Sequence, residues 1–264
     1  MIRIAAVGDI HLGTDSGGSF APVVHDLIGH ADVLLLAGDL TQHGRVAEAR
    51  VVAAEVASAQ LPVLAVLGNH DYHDDAEDEI TRILVDAGVT VLEGTGTVLD
   101  IAGTRLGVAG VKGFGGGFAG ASCSEFGEPL MKSFVRHSRE RAASLGAAFE
   151  DLTCDIRVAL THYAPVPDTL IGERAEIYPF LGSYHLAEVI DAAGVDLALH
   201  GHAHAGSERG TTAGGVPVRN VARPVIGKSV ARYEIAQDGC GDLAGSAPPA
   251  SRVPAGEADS RAPS

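Results

Sequence analysis

The stretch Ile2-Arg3-Ile4-Ala5-Ala6-Val7-Gly8-Asp9-Ile10-His11 carries the pattern on which the rest of the chain is built. A short, mostly apolar run stops at a glycine, and an Asp and a His follow two positions apart. Runs this short and continuous read as strands buried on both faces. The pattern recurs: 33–37 (VLLLA) ends in Gly38-Asp39, and 63–67 (VLAVL) ends in Gly68-Asn69-His70-Asp71. Later, 156–160 leads to Thr161-His162, and 195–199 leads to His200-Gly201-His202-Ala203-His204.

Between the first three runs lie 20–29, 45–59 and 75–87, where Ala, Leu, Val and charged residues alternate at helical spacing. Alternating strand and helix predict crossover connections and a largely parallel core sheet with helices on its faces. Residues 98–101 and 105–111, joined by Ala102-Gly103-Thr104, read as a hairpin, and strand material returns at 216–221 and 230–235. A second, partly antiparallel set of strands is therefore expected, and with it an α/β architecture of two packed sheets. Residues 131–152 read as a long helix, 112–120 (KGFGGGFAG) as a glycine-dense loop, and 172–184 as a lid or pocket wall.

Composition narrows the function. The chain has 264 residues, 46% of them hydrophobic, and a formal net charge of −15, which excludes a solvated disordered chain and disfavours a nucleic-acid polymer as partner. No apolar run reaches the roughly 18 residues of a membrane-spanning helix. The apolar start is too short for a signal peptide, so a cytoplasmic location is expected. Only three lysines, Lys112, Lys132 and Lys228, are present, so an anionic substrate calls for bound metal as counter-charge. Cys123, Cys154 and Cys240 have no paired spacing and fit a reducing compartment. From residue 237 onward 18 of 28 residues are Ala, Gly, Pro or Ser, a composition that buries too little apolar surface to order itself. The expected division is thus a domain over 1–236 and a disordered tail over 237–264.

In open α/β sheets the carboxyl ends of the strands form the ligand crevice. Five strand ends deliver Asp9, His11, Asp39, Asn69, His162, His202 and His204 there. Carboxylate and imidazole without thiolate point to borderline or harder divalent ions such as Mn²⁺, Fe²⁺ or Zn²⁺. Asp9 and His11, like His202 and His204, are two apart and leave an extended segment on the same side. Seven such groups exceed the needs of one tetrahedral ion, whereas two ions sharing a carboxylate would use them all.

In order and content, Asp9-Ile-His11, Gly38-Asp39, Gly68-Asn69-His70-Asp71, His162 and Gly201-His202-Ala203-His204 resemble the motif set of the calcineurin-like metallophosphoesterase superfamily. The likeness spans about residues 1–235 and is greatest to the class III cyclic-nucleotide phosphodiesterase branch and small bacterial phosphoesterases. It implies a four-layer α-β-β-α sandwich of two mixed sheets flanked by helices, with a dimetal site at the strand ends. It also implies Asp9, His11 and His204 on a first metal ion and Asn69, His162 and His202 on a second. Asp39 would bridge them, and His70 would lie next to both without ligating either. The ions would be two of Mn²⁺, Fe²⁺/Fe³⁺ or Zn²⁺.

Phosphate esters repel hydroxide, and two metal ions both neutralise the phosphoryl oxygens and supply a nucleophile at neutral pH. His70 would aid the leaving group as the catalytic residue, and Asp71 would orient the site from behind. The expected activity is hydrolysis of a small phosphate ester, with a phosphodiester favoured over a phosphomonoester because lysine is scarce. A non-catalytic binding module on the same fold is the alternative from a different class, and a homodimer is left open. His200 reads as a strand-end hydrogen-bonding residue, His43 and His73 as solvated loop residues, and His25, His30, His137 and His185 as surface or helix residues. Lys112 has two readings, a contact to substrate phosphate or a solvated loop cation.

Overall fold

The computed structural model describes residues 1–236 and 239–242. Its strands are β1 (Ile2–Val7), β2 (Val33–Ala37), β3 (Val63–Val66), β4 (Val89–Val91), β5 (Thr95–Ile101), β6 (Thr104–Val111), β7 (Gly117–Phe118) and β8 (Ala121–Ser122). They continue with β9 (Ile156–Thr161), β10 (Leu197–His200), β11 (Arg209–Thr211), β12 (Pro217–Asn220), β13 (Ala231–Ala236) and β14 (Gly239–Asp242). The first large sheet runs β14-β13-β1-β2-β3-β4, and the second runs β11-β12-β10-β9-β6-β5. Each has a parallel centre and antiparallel pairing towards an edge, so both are mixed.

Side-chain parity explains the layering, because successive residues of a strand face opposite sides of the sheet. Ile4 and Ala6 of β1, Val33 and Leu35 of β2, and Leu64 and Val66 of β3 pack into one buried cluster. Val108 of β6, Val158 and Leu160 of β9, and Leu197 and Leu199 of β10 join it from the opposite sheet. The alternate residues, Ala5, Val7, Leu34, Leu36 and Ala65, pack outward against α1 (Ala21–Asp26), α2 (Val46–Val56) and α3 (Glu77–Asp86). On the far side Val111, Ala159, Ala198 and Val218 meet α4 (Pro129–Glu150) and α6 (Tyr184–Ala192), which flank the four-residue α5 (Tyr178–Leu181) in sequence. The result is the four-layer α-β-β-α sandwich implied by the motif set. Fully burying each Val, Leu or Ile contributes about 1.5–3 kcal/mol, which is why unbroken apolar runs occupy the central strands.

The order of strands corrects one expectation. Residues 156–160 and 195–199, which the alternation of the first three runs leaves unassigned, form the centre of the second sheet. Residues 216–221 and 230–235 part company: β12 lies parallel to β10, whereas β13 is antiparallel to β1 in the first sheet. Runs buried on both faces look alike in either sheet, so the sequence pattern carries no sheet membership. Gly239–Asp242, within the stretch read as tail, forms β14 against β13. The remainder of that stretch lies outside the described residues. Among the described residues no helix is long and apolar enough to cross a membrane.

Register positions the site. Val7 is level with Leu36 and Leu36 with Ala65, while Leu160 is level with Leu199. The parallel strands of each sheet therefore end together and release their loops at one edge.

Candidate metal centre

The loops at that edge bring all seven expected ligand residues together. Ligand-capable atoms of Asp9, His11, Asp39 and His204 lie within 4.8 Å of one another, and so do those of Asp39, His162 and His202. Asp39 is common to both groups. Asn69 joins the second, its Oδ1 lying 2.9 Å from His162 Nε2. Asp9 and Asp39 are almost wholly buried, as is His162.

The backbone is bent to achieve this. Asp9, His11, Asp39 and His202 have φ of 59°, 43°, 51° and 71°, in the left-handed region that residues with a Cβ seldom adopt. Such conformations cost about 1–3 kcal/mol each and persist only when their surroundings enforce them. Here the Asp9 amide donates to the Gly38 carbonyl at 2.9 Å, and the His11 amide to the Asp39 carbonyl at 3.0 Å. Two glycines make room. A Cβ on Gly68 would run into the Asp39 carboxylate and amide, and one on Gly201 would run into the Asp9 carboxylate.

Hydrogen bonds define which ring nitrogen is free. His162 Nδ1 donates to the Ala37 carbonyl at 2.9 Å, which leaves Nε2 to face Asn69 Oδ1 and Asp39 Oδ1, the latter at 3.3 Å. His202 Nε2 donates to the Phe180 carbonyl at 3.2 Å, which leaves Nδ1 for the site. His70 Nδ1 donates to the Gln42 carbonyl at 2.8 Å, while its Nε2 lies 4.0 Å from Asp39 Oδ2. His204 Nε2 is 2.8 Å from Asp9 Oδ1, and the His202 amide donates to both Asp9 oxygens at 3.1 and 3.0 Å.

Electrostatics favour the metal-ready forms of Asp9, His11 and His202, though not of His204. Burial opposes the Asp9 carboxylate, but His204, His162 and the His202 amide outweigh it and hold its pKa below the ordinary value. Burial lowers the pKa of His11, and that of His202 to about 3, so both rings are neutral and keep a lone pair. His204 is raised by its hydrogen bond to Asp9.

These residues fit divalent ions on their own geometry. His11 Nε2 is buried without a hydrogen-bond partner, 3.7 Å from Asp39 Oδ2. Buried polar atoms are otherwise nearly always satisfied. The donors are all nitrogen or oxygen, as borderline and harder cations require.

Asp71 is fully buried and accepts four hydrogen bonds: from the amides of Leu40, Thr41 and Gly68 at 3.2, 2.8 and 2.7 Å, and from the Thr41 hydroxyl at 2.6 Å. It ties the loop after β2 to the loop after β3. Desolvation raises its pKa, with the Asp39 charge adding to the shift. His200 is hydrogen-bonded at both ring nitrogens, to the Gly201 carbonyl at 2.7 Å and the Thr169 hydroxyl at 2.8 Å. His73 stacks on His70 with ring centroids 4.4 Å apart. His43 pairs with Glu48 at the start of α2.

Sequence reasoning missed the Phe180, Ala37 and Gln42 carbonyls that orient His202, His162 and His70. A backbone carbonyl carries no residue-type signal. It also missed Tyr163, whose ring centroid lies 4.4 Å from that of His202. The only hint was its place directly after His162.

Two mixed sheets with a carboxylate-linked His/Asp cluster at their strand ends are those of an α/β metallohydrolase. The calcineurin-like phosphoesterase family model matches residues 2–206, and the chain belongs to that family, the metallophosphoesterases. No curated protein matches the chain. Among solved structures the fold is similar to phosphopantetheinyl hydrolase (PptH) from Mycobacterium tuberculosis, at 16% identity, TM-score 0.63, covering 83% of this chain and 88% of that one. It is also similar to the TT1561 protein of Thermus thermophilus, at 18% identity, TM-score 0.53, covering 83% and 88%. A third likeness is GAP50, the anchor in the inner membrane complex of Plasmodium, at 12% identity, TM-score 0.53, covering 84% and 72%.

Proposed function

We propose that the protein hydrolyses small phosphodiesters at a dinuclear centre held by Asp9, His11 and His204 on one side and Asn69, His162 and His202 on the other, with Asp39 shared. The observation that carries this reading is the membership of Asp39 in both ligand groups, with His70 beside it. Ions held by these residues would supply charge neutralisation at the phosphoryl group and a nucleophile at neutral pH. The chain's own residues do the rest. Asp9 and Asp39, both buried, would hold the positive charge in place. His70, oriented by the Gln42 carbonyl, presents Nε2 to the leaving oxygen and, in its doubly protonated form, gives it a proton or a hydrogen bond, an effect of about 10²–10⁴-fold. Asp71 keeps the Asn69-His70 turn against the Asp39 loop.

The preference for a diester rests on charge. A phosphomonoester dianion calls for more cations than a diester, and the donors gathered around Asp9 and Asp39 are His, Asp and Asn. The test is turnover by Mn²⁺-loaded protein of bis(p-nitrophenyl) phosphate against p-nitrophenyl phosphate. A kcat/KM at least about tenfold higher for the diester is expected, the factor that 1.4 kcal/mol of differential transition-state binding supplies. A higher value for the monoester reverses the preference, and no metal-dependent turnover of either overturns the enzyme reading.

A further inference from the structure

Lys112, the first residue of the glycine-dense loop, follows β6 directly at the same edge of the sheets as the ligand loops. It is 8% exposed, an unusual place for one of only three lysines in the chain. Among the described residues its ammonium has no ion-pair or hydrogen-bond partner. Its Nζ instead lies 3.9 Å from the centroid of the Tyr72 ring, with Phe114 at 5.8 Å. The charges of Glu93, Glu77, Arg141 and Asp39 act on it from further away, and His137 of α4 is also within range of its charge. Burying the Lys112 side chain strips part of the water from its ammonium, and the face of an aromatic ring compensates for part of that loss.

The backbone of Lys112 adds a second connection. Its carbonyl accepts the amides of both His162 and Tyr163 at 3.0 Å, and its own amide donates to Glu93 Oε2 at 3.1 Å. Glu93 in turn pairs with Arg141 of α4 at 3.3 Å. Tyr72 closes the 3₁₀ turn His70–Tyr72, and its amide donates to the Asn69 carbonyl at 3.2 Å. One residue therefore joins the loop of His162 to the turn carrying Asn69 and His70. The carbonyl link is independent of the side chain, whereas the ammonium–ring link requires a cation at 112 and an aromatic at 72.

We propose that Lys112 is a positioning residue, whose ammonium clamps the Tyr72 ring and so fixes the Asn69-His70 turn against His162 across the two sheets. The proposal rests on the phosphoesterase reading for its effect on rate, and its effect on metal binding can be measured separately. A contact to substrate phosphate is the competing role. It would appear in KM, whereas positioning appears in kcat and in the metal affinity.

The experiment uses the full chain loaded with Mn²⁺, bis(p-nitrophenyl) phosphate as substrate, and the variants Lys112→Met, Tyr72→Leu, Tyr72→Phe and the Lys112→Met/Tyr72→Leu double. Lys112→Met and Tyr72→Leu are each expected to lower kcat about tenfold, the scale of one partly buried cation–aromatic contact, with KM within about twofold of wild type. The double variant should be no slower than the slower single one, because both remove the same contact. Tyr72→Phe keeps the ring and should retain most of the rate. Calorimetric Mn²⁺ titration of the same proteins should show weaker binding of the second equivalent alone. A raised KM at unchanged kcat, or losses that multiply in the double variant, overturns the proposal. Wild-type protein without turnover overturns the hydrolase reading, and the Mn²⁺ titrations then decide Lys112 by themselves. Should Lys112→Met fail to fold, the contrast between Tyr72→Leu and Tyr72→Phe decides, and equal loss in both overturns the clamp.

Discussion

His162 Nε2 lies 3.3 Å from Asp39 Oδ1, while the other ring nitrogen of His162 donates to the Ala37 carbonyl at 2.9 Å. With the N–H of a neutral ring at Nδ1, Nε2 would offer its lone pair towards the Asp39 oxygen, two donor atoms that a cation would join. Metal occupancy is the property this relationship controls most directly. His162→Ala is expected to reduce bound Mn²⁺ from two ions per chain to one, measured by elemental analysis after gel filtration, and to lower kcat by at least about 100-fold. Two ions retained at full affinity would remove His162 from the second site.

The role of His70 depends on how much help the leaving group needs. p-Nitrophenolate leaves readily without a proton, whereas an alkoxide does not. His70→Asn should therefore cost about tenfold or less on bis(p-nitrophenyl) phosphate and about 10²-fold or more on an alkyl phosphodiester such as a glycerophosphodiester. Equal losses on both substrates would assign His70 to positioning instead.

Gly68→Ala tests the close approach behind Asp39. The added Cβ meets the Asp39 carboxylate and its amide, so the shared carboxylate must move. The outcome expected is loss of tight binding of both Mn²⁺ ions. Binding of metal to the folded state alone stabilises it by about 2.7 kcal/mol at 100 times Kd, so Mn²⁺ should raise the melting temperature of wild type and not of the variant. A variant that melts and responds to Mn²⁺ as wild type does would contradict this.

Away from the site, Asp32 accepts from the Arg3 guanidinium at 2.6 and 3.2 Å and from the Arg3 amide at 2.7 Å, which holds its pKa below the ordinary carboxylate value. A carboxylate with a depressed pKa stabilises the fold above its unfolded pKa of about 3.9, and that contribution is lost as the pH falls through the folded value. Asp32→Asn should cost about 1 kcal/mol in urea unfolding at pH 7, reduced by its partial exposure, and progressively less below about pH 4. A difference that grows on acidification would have the wrong sign.

Much of the candidate site was legible because the proposed ligand residues are chemically distinctive and follow the strands in sequence. Asp9, His11, Asp39, Asn69, His162, His202 and His204 are each a glycine, a few residues or less from an apolar run. Asp71 was legible only as a neighbour of His70, and its four bonds to the loops after β2 and β3 became evident in three dimensions. Tyr72 gave no sequence signal, since its contact is with Lys112, far along the chain and on the other sheet.

Local sequence alone determined the strand runs, the residue types at their ends and hence the motif set and the class of chemistry, because burial and ligand chemistry are properties of residue type. Tertiary structure decided which runs share a sheet, that Gly239–Asp242 continues the first sheet, that Asp39 joins both ligand groups, and which ring nitrogens are held by the Ala37, Phe180 and Gln42 carbonyls. The physical reason is common to all of these. Strand pairing and hydrogen bonding use backbone groups that every residue carries, so their partners are selected by register and packing across the two sheets.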